Sequence, residues 1–140
     1  MQSAECIGWL SKNSLDRYRP ALIYAQFSLF IFGVFFWIDA SLGSGNFKEV
    51  TWGSFAYAFP AKAWAALNMG ASAIAVIGLL KPIRSGMVAV GAGLHCLQFA
   101  AISYSTALTG GEAIVGLFAS VFFLPLHMWL FSEAVQRWRR

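Results

Sequence analysis

The sequence predicts an all-α membrane protein. Four transmembrane helices form an antiparallel bundle with both termini on the cytoplasmic side, preceded by an N-terminal amphipathic helix at the membrane interface. Three observations carry this expectation. Hydrophobic residues make up 59% of the 140 and charged residues only 11%, against roughly 25% charged in a typical soluble domain. That is too little charge to coat a water-facing surface. The apolar residues also come in runs near the ~20 residues that a helix needs to cross a bilayer. Finally, Lys and Arg fall in alternate connections. Lys12, Arg17, Arg19, Lys81, Arg84, Arg137, Arg139 and Arg140 lie on one side of the four-span arrangement, and only Lys48 and Lys62 on the other. Basic residues concentrate in cytoplasmic loops, so the richer side is assigned to the cytoplasm.

The elements follow in order. Residues 1–19 mix polar and apolar types, with Ile7, Leu10 and Tyr18 on one helical face and Trp9 beside them. This reads as an interfacial amphipathic segment anchored by its aromatic rings. Pro20 suits the first position of a helix, where its missing N–H costs nothing. Residues 20–140 then form the transmembrane domain, with spans at about 21–40, 61–80, 87–108 and 113–135. The first residues lack the basic n-region of a cleavable signal peptide, and Lys12, Arg17 and Arg19 stand directly before the first span, which would act as an uncleaved signal anchor in the inner membrane. The Ser41–Asn46 stretch is a turn cluster. The aromatic residues Phe47, Trp52, Phe55, Tyr57 and Phe59 make the following segment an expected interfacial lid. Pro60 again marks a helix start. Short turns at 81–86 and 109–112 make the second, third and fourth spans antiparallel neighbours. Pro125 is expected to kink the fourth.

Small residues recur at four-residue spacing: Ala66, Gly70 and Gly78 in the second span, Ala89 and Gly93 in the third, Gly116 and Ser120 in the fourth. Such stripes let helix backbones approach closely in lipid. The first span is instead rich in Phe, with Phe27, Phe30, Phe32, Phe35 and Phe36. It is expected to face lipid or another subunit.

Gln26, Asn68, His95, Gln98 and His127 fall at membrane depth. Polar side chains are expensive there and usually turn into the bundle. His95 lies nine residues after Gly86, and His127 nine before Gln136. At 1.5 Å per residue each sits roughly 13 Å from the cytoplasmic end of its span. On antiparallel neighbours the two imidazoles would be level. The leading reading is interhelical hydrogen bonding that pins the bundle. Ligation of haem b by His95 and His127, or a quinone site around them, is the cofactor alternative. A proton or ion relay is disfavoured because Asp39, Glu112 and Glu133 all sit at span ends.

Cys6 and Cys96 are far apart and read as free thiols. No nucleophile–base pair, phosphate loop or metal-spaced cluster is present, which points away from catalysis and from a metal. The net charge of +4 sits beside the apolar runs, which suits anionic lipid head groups and not nucleic acid. The functional expectation is a non-enzymatic anchor, scaffold or accessory subunit of a larger membrane assembly, or a homo-oligomer. The alternatives are a self-associating pore of the holin type and the haem or quinone anchor. Small four-span multidrug exporters have comparable length but carry a glutamate in the first span, where this chain has Gln26.

Overall fold

A computed structural model describes residues 14–42, 61–80, 82–108 and 119–139. These are helical throughout apart from residues 80 and 82–84 and the residue after the last helix, and no strand occurs among them. We label the helices α1 (Ser14–Leu42), α2 (Ala61–Leu79), α3 (Ser85–Leu108) and α4 (Leu124–Trp138). A π-helical turn, Ala119–Phe123, leads directly into α4. Three of the helices, α1, α2 and the Ser85–Tyr104 part of α3, are long and apolar enough to cross a membrane.

The helices run alternately up and down, and the side-chain contacts give the register. Leu29 of α1 meets Asn68 of α2, Ser72 of α2 meets His95 of α3, and His95 meets His127 of α4. α1 and α4 close the ring through Tyr18–Trp129 and Gln26–His127. The start of α1, the α2–α3 turn and the end of α4 therefore lie at one end of the bundle. There Asp16 pairs with Arg137 at 2.8 Å, Ser14 donates to the Glu133 carboxylate, and Gly86 lies beside Trp138.

The turn between α2 and α3 is built from backbone hydrogen bonds. The Arg84 amide donates to the Gly78 carbonyl at 2.8 Å, and the Arg84 carbonyl accepts from Met87 and Val88. This folds the chain back directly, so the last turn of α2 touches the first turn of α3.

Buried residues of α1 fall at Leu15, Leu22, Gln26, Leu29, Gly33 and Phe36. Their alternating three- and four-residue spacing is that of a left-handed bundle seam. α1 does not begin at Pro20 as expected; it runs unbroken from Ser14. Residues 14–19 are therefore part of the bundle and not of a separate interfacial helix. Leu15 is buried in a cluster with Leu130 and Ala134. A proline this close to a helix start removes one hydrogen bond, and Pro20 faces outward, so neither loss nor ring disturbs the packing. The rest of the expected interfacial segment and the aromatic lid at 47–59 lie outside the described residues.

Pro125, expected to bring a kink, instead follows a widened turn at the start of α4. Its ring would press on the carbonyl four residues back, and the π-helical turn before it gives that ring room.

Candidate functional site

Two apolar clusters fill the bundle and a polar layer lies between them. At the arginine-rich end the cluster contains Leu15, Leu22, Leu79, Val88, Leu130 and Ala134, among others. At the opposite end it contains Leu29, Phe36, Trp64, Ala65, Phe99 and Ile102. Between them every helix contributes at least one buried polar side chain. These are Gln26 from α1, Asn68 and Ser72 from α2, His95 and Gln98 from α3, and His127 from α4. In a low-dielectric interior each must find partners, because an unpaired polar group there is costly.

The partners are largely one another. The Gln26 amide nitrogen lies 2.8 Å from His127 Nε2, and His127 Nδ1 lies 2.7 Å from the Phe123 carbonyl oxygen. A carbonyl only accepts, so the His127 proton sits on Nδ1. Its Nε2 then accepts from Gln26, and the tautomer is fixed from both sides. On the neighbouring pair, Ser72 Oγ lies 3.0 Å from His95 Nε2. Asn68 donates to the Leu29 carbonyl of α1. Gln98, one turn beyond His95, interacts with that ring. Gln26 Oε1, His95 Nδ1 and Gln98 Oε1 close no hydrogen bond of normal geometry among the described residues.

The two histidines, predicted to be level, are in contact. Their ring centroids are 4.7 Å apart with planes inclined at 57°. Phe99 stacks on His95 at 5.5 Å and on Phe123 at 5.2 Å, which walls the pair in. Both histidines are fully buried. This arrangement does not fit a haem held between them. Two axial ligands stand on opposite faces of the macrocycle, each about 2 Å from the metal. Rings already touching, with both Nε2 atoms engaged by other side chains, leave no space for the porphyrin. What the geometry does chemically is tie α1 to α4 and α2 to α3 at one depth.

The helix-packing positions are redistributed. Gly78 is a close contact: a Cβ there would lie 2.7 Å from the Val88 backbone nitrogen. Gly70 faces outward with open space beside it, and a Cβ at Gly93 would meet only the Phe131 ring, at 3.4 Å. The expected stripe through Ala66, Gly70 and Gly78 is therefore corrected. A four-residue step advances about 40° around the helix beyond a full turn. Ala66 and Gly78 thus end about 120° apart. The observed seam of α2 is Ala71, Ala75 and Gly78, facing Gly91 of α3. A Cβ at Gly91 would lie 2.6 Å from the Ala71 carbonyl oxygen. Gly33 of α1 is the equivalent approach to Met69. Gly116 lies outside the described residues, as does the side chain of Ser120.

Three residues of this interior escaped the sequence reading: Ser72, Gly33 and Gly91. Ser72 was findable, since it stands one turn from Asn68 and so shares its face. Gly33 and Gly91 carried the weaker signal of being glycines inside helices, where alanine is preferred.

Comparison with known proteins places this chain beside none of them. No family model matches, and neither does any curated protein or any solved structure.

Proposed function

We propose that this chain is a four-span inner-membrane protein that acts without catalysis, as an anchor, scaffold or accessory subunit of a larger membrane assembly. Both termini and the Lys81–Arg84 turn lie in the cytoplasm. Support for the orientation comes from the register. Arg17, Arg19, Arg84, Arg137 and Arg139 share one end of the bundle, while Lys62 and Asp39 stand at the other, with Lys62 over the Trp37 ring. Such asymmetry is what the positive-inside rule reads.

The observation that carries the functional reading is the surface of α1. Only 28% of its apolar stretch is buried, against 44% in α2 and α3. Tyr24, Phe27, Ile31, Phe35 and Ile38 are exposed, and their spacing makes them one continuous ridge. A ridge of large rings along a whole span is suited to packing against another transmembrane helix. The polar residues, in contrast, face inward within a single chain and hydrogen-bond there. This favours an anchor over a self-associating pore, whose polar stripe would have to line a water path.

The test is purification in a mild detergent with measurement of particle mass and absorbance. The expected particle is larger than one chain, carries further subunits, and dissociates when Phe27 and Phe35 are both changed to Ala. A monomer in every mild detergent would overturn the reading. So would a reducible haem band that vanishes in His95→Gln and His127→Gln.

A further inference from the structure

The seam between α1 and α4 is held at two levels and open between them. Toward the arginine-rich end it is closed by Asp16–Arg137 and by Tyr18 set edge-on to Trp129, with ring centroids 6.2 Å apart. Deeper in, it is closed by Gln26–His127. The gap is a groove of about 430 Å³ lined by Tyr18, Ala21, Leu22, Ala25, Leu126 and Trp129. Its cause is local. Ala21 and Ala25 are one turn apart on α1, so two successive turns present only methyl groups across from a leucine and an indole. The volume falls within the range of sites that hold small ligands, but the walls offer almost no polar group.

We propose that this groove holds an acyl chain of an anionic phospholipid, with the phosphate at the arginine-rich rim. The inference rests on the membrane reading above. Charge complementarity selects the occupant. Among the described residues this end carries Arg17, Arg19, Arg84, Arg137 and Arg139 against Asp16 and Glu133 only, and Arg137 is already paired with Asp16. Arg17 and Arg19 flank Tyr18 at the mouth of the groove and form no ion pair among the described residues; Arg17 is exposed and Arg19 half-buried. Basic side chains above a cleft between membrane helices are how proteins hold anionic head groups. A lipid seated here would bridge α1 and α4 where they do not touch directly.

The experiment is native mass spectrometry of the full chain, released from mild detergent after incubation with equal amounts of phosphatidylglycerol and phosphatidylcholine. The expected result is a retained phosphatidylglycerol adduct, preferred on the order of tenfold. Ala25→Phe fills the groove and should abolish the adduct, whereas Ala100→Phe, on an exposed face of α3, should leave it. Should Ala25→Phe fail to fold, the paired change Arg17→Gln and Arg19→Gln serves instead and should erase the preference for phosphatidylglycerol. Equal retention of the two lipids, or an adduct that survives both sets of changes, overturns the proposal. A chain that stays in solution without detergent refutes the membrane reading itself. A chain that needs detergent but shows no preference refutes only the lipid site.

Discussion

Adding one methyl group at Gly91 should separate two helices, while the same methyl at Gly70 should do no harm. The Cβ introduced by Gly91→Ala would lie 2.6 Å from the Ala71 carbonyl oxygen and 2.8 Å from both the Ala75 nitrogen and its Cβ. Favourable contacts between carbon atoms lie near 3.5–4.0 Å, so α2 and α3 must part by roughly 1 Å. Two of the three obstructing atoms are backbone and cannot rotate aside. Overpacking of this kind costs about 1–3 kcal/mol. The better helix propensity of alanine returns up to about 1 kcal/mol, and because the backbone contacts put the cost in the upper half of that range, the net loss is about 1–2 kcal/mol. The separation also strains the Ser72–His95 hydrogen bond one turn away. At Gly70 nothing lies within 4 Å of the added atom, so only the propensity gain of about 0.5–1 kcal/mol remains. Gly93→Ala, meeting a ring edge at 3.4 Å, should be close to neutral. Equilibrium unfolding in mixed detergent and sodium dodecyl sulfate measures all three. A Gly91→Ala protein as stable as the parent would refute the reasoning, as would equal damage from Gly70→Ala.

The remaining expectations concern the polar layer and the arginine-rich end. Gln26→Leu should cost about 0.6–2 kcal/mol by removing the donor to His127 Nε2. Combined with His127→Leu the losses should be less than additive, and strict additivity in the same unfolding titration would argue that the pair does not interact. His127→Gln and His95→Gln should be tolerated within the same range, because glutamine supplies both a donor and an acceptor; collapse of the fold in either would show that the ring itself is required. Asp16→Asn breaks a 2.8 Å ion pair whose members are 46% and 37% exposed. Its effect should stay under about 1 kcal/mol and shrink with added salt, and a larger, salt-insensitive loss would contradict the surface placement.

Composition and the alternation of basic groups were enough to predict a helical membrane bundle, because bilayer thickness and backbone satisfaction leave few alternatives. The starts of α2 and α3 fall within two residues of expectation. The meeting of His95 and His127 was also legible. It followed from counting nine residues on from Gly86 and nine back from Gln136, and rise per residue is the most regular property of a helix. Rotation about the helix axis was not legible in the same way. In a soluble helix, hydrophobicity marks the buried face; in α2 and α3 apolar residues surround the helix, so only small and polar residues carry the signal. Strict four-residue stripes then drifted off the seam and singled out Gly70 and Gly93 in place of Ala71 and Gly91. Pro20 misled for a related reason. The rule placing proline at a helix start describes a preference, and it yielded to the burial of Leu15 one turn earlier. The π-helical turn before Pro125 was foreseen only as a kink, since a missing N–H says that a helix must deviate but not how.

The central claim is that four spans place Ser14, the Lys81–Arg84 turn and Arg139 on one side of the membrane. Reporter fusions test it directly, with a reporter active only in the cytoplasm joined after Arg84 or Arg140 and, in separate chains, after Asn46 or Gly110. The first two should be active and the last two silent. The same activity after Asn46 and Arg84 would put both ends of α2 on one side, and the four-span account would be wrong.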